Sequence, residues 1–207
     1  MVITYHGKQF FKVQFGETVL ALNPISKDSK LKGARFGADI ALVSMNTPDF
    51  NGIDQVTHGN KDPFIIAGPG EYEVNGVVIR GFMVEEQFEK TGRINTIYTI
   101  ELEGMQLCFL GNLSVAELSD STKEQIGNID ILFAPINEKE TIGPSAAHKL
   151  TTRLEAILTI PMDYDDNTLK SFLKEAGEEK AKMQDKLTLK RKDIDSLDSN
   201  VAVLKAQ

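Results

Sequence analysis

Ala38-Asp39-Ile40-Ala41-Leu42-Val43-Ser44 is the stretch on which the fold turns. The run is nearly all apolar, which is the pattern of a strand buried on both faces. It gives way to a loop from Met45 to Ile53 that carries Asn, Thr, Pro, Asp and Gly. Upstream, Gln9–Phe15 and Thr18–Leu22 flank the short turn Gly16-Glu17 and predict a hairpin. Asn23-Pro24 stops the second strand, because proline cannot donate to a ladder. A polar connection, Lys27 to Gly33, then leads into the buried strand.

Downstream, Pro63–Ala67 is a short apolar strand ended by Gly68-Pro69-Gly70. Asn75-Gly76, the pair best suited to a two-residue type I′ turn, joins Glu71–Val74 to Val77–Arg80. A third hairpin links Thr96–Leu102 to Met105–Leu110 through Glu103-Gly104, and the charged Glu85–Gly92 reads as an exposed loop. After Leu110 strands and helices alternate, the rhythm of an α/β fold. Ser119 caps a predicted helix through Ile126, stopped by Gly127. Ile129–Ala134 is a strand closed by Pro135, and Pro144–Leu154 a helix whose Ala147, Leu150 and Leu154 share one face. Ala156–Ile160 is a strand ended by Pro161, and Thr168–Ala176 a helix stopped by Gly177. Two strands, about Lys186–Lys190 and Val201–Leu204, finish the chain.

With 207 residues, no internal repeat and no linker, residues 1–207 are expected to form one domain. A domain of that size needs no disulfide or metal to stand. Cys108 is the one cysteine, so an internal disulfide framework and a zinc ribbon are both excluded. It sits in the apolar run Leu107–Leu110 and reads as a small buried thiol. The net charge of −7 argues against nucleic acid as a partner, since phosphate neutralisation needs a basic face. Lys186–Lys192 alternates charged and apolar residues and reads as a strand with a solvated side. No segment has the roughly 18 apolar residues of a membrane span, so no membrane is expected. The N-terminus lacks a basic and apolar leader, making a cytoplasmic location the default. The binding partner stays unknown.

A series of segments, in order, resembles the metallo-β-lactamase fold. Tyr5-His6-Gly7-Lys8-Gln9-Phe10-Phe11-Lys12-Val13 is similar to the opening strand of its small hydrolases, and Leu20-Ala21-Leu22-Asn23-Pro24 to their Leu-Ile-Asp-Pro strand end. Ala38–Ser44 resembles the strand leading into their metal motif, and Gly68–Gly76 a hairpin frequent in one branch. Leu110-Gly111-Asn112 and Ile157–Tyr164 resemble the later strand ends that supply ligands. The resemblance implies a four-layer αββα sandwich with mixed sheets.

It also implies a zinc site, and this sequence departs from it. The family's His-x-His-x-Asp-His falls on Met45, Thr47, Asp49 and Phe50, so that Asp49 alone matches. The bridging aspartate falls on Asn112, the last histidine on Asp163, the histidine after the first strand's glycine on Lys8, and the aspartate of the Asp-Pro turn on Asn23. Thioether, hydroxyl and phenyl groups do not replace imidazole at divalent zinc. The resemblance therefore implies a degenerate, vestigial site in a non-catalytic, pseudoenzyme-like protein kept for binding or scaffolding, with no cofactor. The alternative is a divergent esterase, lactonase or phosphodiesterase in which Asp49 and Asp163, converging with Asn112 near Asp165 and Asp166, hold Mg²⁺ or Mn²⁺. A third reading is a metal-free pocket that takes an anion through Lys8.

The remaining candidates carry less. His6, His58 and His148 are not paired at ligand spacing and read as surface or capping residues. No Ser/His/Asp or Cys/His order is present for nucleophilic catalysis. Gly68-Pro69-Gly70 opens a hairpin rather than a helix, unlike a phosphate loop. Glu71 and Glu73 share a strand face, as acid and base or as solvated side chains.

Overall fold

The computed structural model describes residues 1–207, the side chain of Glu86 apart. In chain order its elements are β1 (Val2–Tyr5), β2 (Phe11–Phe15), β3 (Thr18–Leu22), β4 (Ile40–Leu42), α1 (Ile53–Val56), β5 (Phe64–Ile66), β6 (Gly70–Val74) and β7 (Val77–Met83). Then follow α2 (Glu85–Thr91), β8 (Thr96–Leu102), β9 (Met105–Phe109), α3 (Asp120–Ile126), β10 (Ile131–Pro135), α4 (Pro144–Arg153) and β11 (Leu158–Met162). The chain ends with α5 (Asp166–Glu175), β12 (Met183–Gln184), β13 (Leu187–Thr188), a 3₁₀ turn over Arg191–Ser196, and β14 (Val203–Leu204).

One six-stranded sheet runs β13-β1-β2-β3-β4-β5 and the other β11-β10-β9-β8-β7-β6, with β12 and β14 as a separate pair. Both sheets are mixed. In the first, β1, β2 and β3 are antiparallel neighbours while β3, β4 and β5 run parallel. In the second, β6 to β9 are antiparallel and β9, β10 and β11 parallel. The inner faces meet in a core of Phe11, Leu20, Leu22 and Ile40 against Ile79, Tyr98, Phe109 and Phe133. Phe11 and Phe133 touch edge to face across it, at 4.8 Å between ring centroids. The outer face of the second sheet buries Cys108, Leu110 and Leu132 with Ile126 of α3 and Leu150 of α4. The outer face of the first buries Val19, Ala21 and Ala41 under Ile25 and Val56 of α1. Apolar side chains thus alternate inward and outward on strands covered on both sides, as the buried run around β4 requires.

Turn chemistry fixes the registers. Asn75 and Gly76 both take positive φ, 52° and 75°, as do Glu103 and Gly104 at 57° and 66°. These are the angles of type I′ turns, whose twist suits a hairpin. The N-cap at Ser119 accepts the amide of Thr122, as its sequence position indicates.

Three local expectations are corrected. Residues 85–91 form α2 rather than a loop, closed by Gly92 in the left-handed region, with buried Gln87 facing inward. Pro161 does not end its strand; β11 continues to Met162, because it lies at the sheet margin where a missing N–H is tolerated. The segment after Thr188 folds into the 3₁₀ turn, which burial of Ile194 against the inter-sheet core anchors. No helix among the described residues is long and apolar enough to cross a membrane.

Candidate functional site

The carboxyl ends of the parallel strands all lie along one rim, where α/β sheets carry their ligand sites. Asn23 follows β3, Ser44 follows β4, Asn112 follows β9, Asn137 follows β10 and Asp163 follows β11. Lys8 and Gln9 reach the same rim from the turn between β1 and β2. Three of these residues hold positive φ although they are not glycine: Lys8 at 55°, Asn23 at 45° and Asp163 at 55°. Such backbone is unfavourable for ordinary residues and concentrates at functional sites.

Their side chains form one hydrogen-bonded plug with Gln9 at its centre. Gln9 Nε2 donates to Asn112 Oδ1 at 3.0 Å and to Asp163 Oδ2 at 3.3 Å. Gln9 Oε1 accepts from Asn23 Nδ2 at 3.0 Å. Asn23 in turn donates to Ser44 Oγ at 2.8 Å and accepts the Ser44 amide at 2.8 Å. Gln9 and Asn23 are entirely buried. The amide of Gln9 therefore ties a loop of the first sheet to two strand ends of the second.

Asp163 is saturated. Its Oδ1 accepts from Asn137 Nδ2 at 3.1 Å, and its backbone N–H donates to the Tyr5 hydroxyl at 3.1 Å. That hydroxyl donates to Lys8 O at 2.8 Å, and burial pushes its pKa well above the usual phenol value. Lys8 Nζ stands 3.0 Å from Asp163 Oδ2 and also pairs with Glu140. Burial alone would lower the Lys8 pKa, but the charge of Asp163 and hydrogen bonds to Glu140 and Asp163 outweigh it and raise the pKa above the ordinary value. Lys8 is thus a buttress, already neutralised, and is a poor receptor for a further anion.

Gly111 lets the two sheets close on this plug. A Cβ there would fall 2.5 Å from Ser44 Cβ and 2.7 Å from Asn95 Oδ1. Asn95 itself holds the loop, donating to Leu110 O at 3.0 Å and accepting the Asn112 amide at 2.8 Å. Gln87 of α2 clamps the same loop through Asn112 O at 2.9 Å and the Ser114 amide at 3.0 Å.

The expected site residues thus divide into two groups. Lys8, Asn23, Asn112 and Asp163 gather in the plug. Asp49 instead accepts a hydrogen bond from Ser29 Oγ, in the connection after β3. Phe50 is buried, and its amide donates to Thr47 O at 2.9 Å. Met45 and Thr47 line a neighbouring cleft. Asp165 and Asp166 serve α5, where Asp165 accepts the amides of Asn167 and Thr168 as the N-cap. Gln9 and Ser44 were not among the expected residues. The sequence marks Gln9 only as the first residue of the predicted strand Gln9–Phe15, next to Lys8.

His6 departs from the expected surface role. Its ring lies 5.1 Å from Phe10 and 5.6 Å from Phe36, with both ring nitrogens buried and lacking a partner among the described residues. Burial holds its pKa below the usual imidazole value; the backbone of Gln207 opposes this by favouring the charged form, and the charge of Lys12 adds to the lowering. His148 sits on α4 against Phe172, and His58 is exposed.

The plug fits a transition metal poorly. Its donors are four carboxamides, those of Gln9, Asn23, Asn112 and Asn137, a hydroxyl, and the Asp163 carboxylate that an ammonium already satisfies. Zinc takes imidazole, thiolate or carboxylate. Among the described residues no group of three or more His, Cys, Asp and Glu gathers in reach of one ion.

No match was found among curated proteins. Solved structures are similar over almost the whole chain. A candidate Zn-dependent hydrolase of the metallo-beta-lactamase superfamily from Thermotoga maritima superposes with a TM-score of 0.82 at 26% identity, covering 100% of this chain and 99% of that one. A metallo hydrolase from Ignicoccus hospitalis gives 0.64 at 15% identity, over 91% and 99%. The metallo-beta-lactamase fold protein YhfI from Bacillus subtilis gives 0.61 at 10% identity, over 99% and 95%. Two mixed six-stranded sheets flanked by helices are accordingly the metallo-β-lactamase fold. Residues 2–163 match the family model described as the beta-lactamase superfamily domain, and the chain belongs to that family.

Proposed function

We propose that this chain is a non-catalytic member of its family, without a zinc centre, retained for a binding or scaffolding role. The observation that carries this reading is the buried Gln9 amide. It occupies the rim between Asn23, Asn112 and Asp163 and bonds to all three. A metal ion seated there would have to displace those bonds and approach an ammonium 3.0 Å from the one carboxylate. Replacing an interaction of that kind with repulsion is unfavourable in a site withdrawn from water.

Similarity to proteins named as metal-dependent hydrolases supports a hydrolase-like scaffold. The donor set does not support their chemistry. The carboxylate alternative with Mg²⁺ or Mn²⁺ needs Asp49 and Asp163 free to ligate. Asp49 is bonded to Ser29, and Asp163 to Lys8, Gln9 and Asn137.

Metal analysis of protein purified without chelator and then dialysed against zinc, magnesium or manganese tests the reading. Far less than one equivalent of each is expected. Near-stoichiometric zinc overturns it. A metal-stimulated esterase or phosphodiesterase activity abolished by Asp49→Ala and by Asp163→Ala would do the same in favour of the hydrolase.

A further inference from the structure

We propose that the cleft beside the plug binds a small amphipathic carboxylate, a molecule with an apolar body and one anionic end. This rests on the non-catalytic reading above and gives it a ligand class.

The cleft has a volume of about 540 Å³, inside the range of roughly 300–1,000 Å³ usual for small-molecule sites. It is built from the loops that follow β4 and β5 and from the exit of α2. Its apolar wall consists of Met45, Pro69, Phe88 and Ile94. Phe88 and Ile94 are 42% and 45% exposed, large apolar groups left in water at the mouth. A ligand's apolar body would cover them, which is favourable in proportion to the area withdrawn.

The polar contribution comes from Arg93, Ser44, Asn46 and Thr47. Ser44 is buried, and its Oγ already accepts from Asn23 Nδ2 at 2.8 Å. The hydroxyl proton is therefore left to donate to something else. No acidic side chain among the described residues lines this cleft. The contrast matters in a chain of net charge −7. The other sizeable surface hollows carry Glu117 and Glu138, Asp166 and Glu179, or Glu124 and Asp130.

A guanidinium, two hydroxyls and the Asn46 carboxamide, with no carboxylate among the described lining residues, select for an anion. The planar fork of arginine matches a carboxylate in two parallel hydrogen bonds. A free inorganic anion would leave the apolar wall uncovered, and an amine would meet Arg93 with like charge. An organic carboxylate uses both halves of the cleft.

The test is titration of the ¹⁵N-labelled protein, residues 1–207, with octanoate and phenylacetate up to about 10 mM, the range in which such small ligands bind. Octanol, octylamine and inorganic phosphate are the controls. Saturable shifts are expected for the carboxylates at Met45–Thr47, Gly68 and Gly92–Ile94, with the controls at least about tenfold weaker. Arg93→Gln should weaken octanoate by about tenfold or more, the effect of losing a charge-assisted pair. Phe88→Ala should weaken octanoate while leaving the charge preference intact. Octanol or phosphate binding as well as octanoate, shifts that cluster elsewhere, or no saturable response to either carboxylate overturns the proposal. Zinc content of the same sample separates the two readings. Metal-free protein that ignores carboxylates removes the cleft proposal alone, whereas zinc-loaded protein that binds them removes only the non-catalytic reading.

Discussion

Lys8 and Asp163, 155 positions apart in the chain, place ammonium and carboxylate 3.0 Å from each other with only 11% and 6% of their side chains exposed. Removing one member of such a pair leaves an uncompensated charge, which typically costs about 3–5 kcal/mol. Asp163 keeps the amide donors of Gln9 and Asn137, which moderates the loss. Lys8→Met is therefore expected to lower stability by about 2–3 kcal/mol in urea unfolding. Adding Asp163→Asn to Lys8→Met should restore at least half of that. Strictly additive losses in the double-mutant cycle would show that the two groups are not coupled.

Gln9→Ala should be more damaging than its neutral side chain suggests. It strips partners from Asn23, Asn112 and Asp163 at once, at a position where Gln9 and Asn23 are fully buried. A loss of about 2–4 kcal/mol follows, at roughly 1–3 kcal/mol per orphaned buried group with partial relaxation. Gln9→Glu would add a second carboxylate next to Asp163 and should be worse at neutral pH than at pH 4. Thermal melts at the two pH values check this ordering; equal behaviour at both would place the Gln9 side chain outside the plug.

Alkali should unfold this protein early. Cys108 is fully buried, and burial pushes its thiol well above its ordinary value of 9.0; burial does the same to the Tyr5 and Tyr98 phenols relative to 10.0. A group whose folded pKa is raised gives stability that is complete below its unfolded pKa and is lost as pH climbs toward the folded one. Lys8, also raised, acts in the same sense above 10.5. Stability should hold to about pH 9 and then fall, at roughly 1.4 kcal/mol per pH unit for each group engaged. Cys108→Ala should cost some stability at neutral pH yet flatten the curve between pH 9 and 10. A curve for the variant parallel to the parent's across that interval would exclude Cys108 as the first group to titrate.

Much of the architecture was legible because it is local. Asn75-Gly76 and Glu103-Gly104 name their own turns, and Ser119 and Gly127 bracket α3 by side-chain and backbone rules that act within a few residues. Residues 85–91 were not legible, because charge on the outer face of α2 hides the inward Gln87, whose partners Asn112 and Ser114 lie some 25 positions on. The rim was legible in part. Strand ends gave Asn23, Asn112 and Asp163 through the family pattern, whereas Asp49 matched that pattern in type but is held by Ser29 instead. Gln9 reads from sequence only as the first residue of a strand, because its partners Asn112 and Asp163 come near it only when the second sheet is folded over it.

On the acid side the sensitive group is His6. Its two ring nitrogens lie buried between Phe10 and Phe36 with no hydrogen-bond partner among the described residues, and burial lowers its pKa from the ordinary 6.5 in spite of the nearby Gln207 backbone. A depressed pKa gives stability that is complete above 6.5 and is lost as pH falls through the folded value. Folding stability should accordingly decline below about pH 6.5, before the bulk of the carboxylates titrate. His6→Phe would keep the ring stacking and delete two unsatisfied polar atoms, each worth roughly 1 kcal/mol or more when orphaned. That variant is expected to be at least as stable as the parent at pH 7 and to lose the decline between pH 6.5 and 5. His6→Gln, which cannot charge but forfeits the stacking, should also lose the pH dependence while being weaker throughout. If both variants retain the parent's acid slope in urea titrations, another group governs it and the imidazole is solvated.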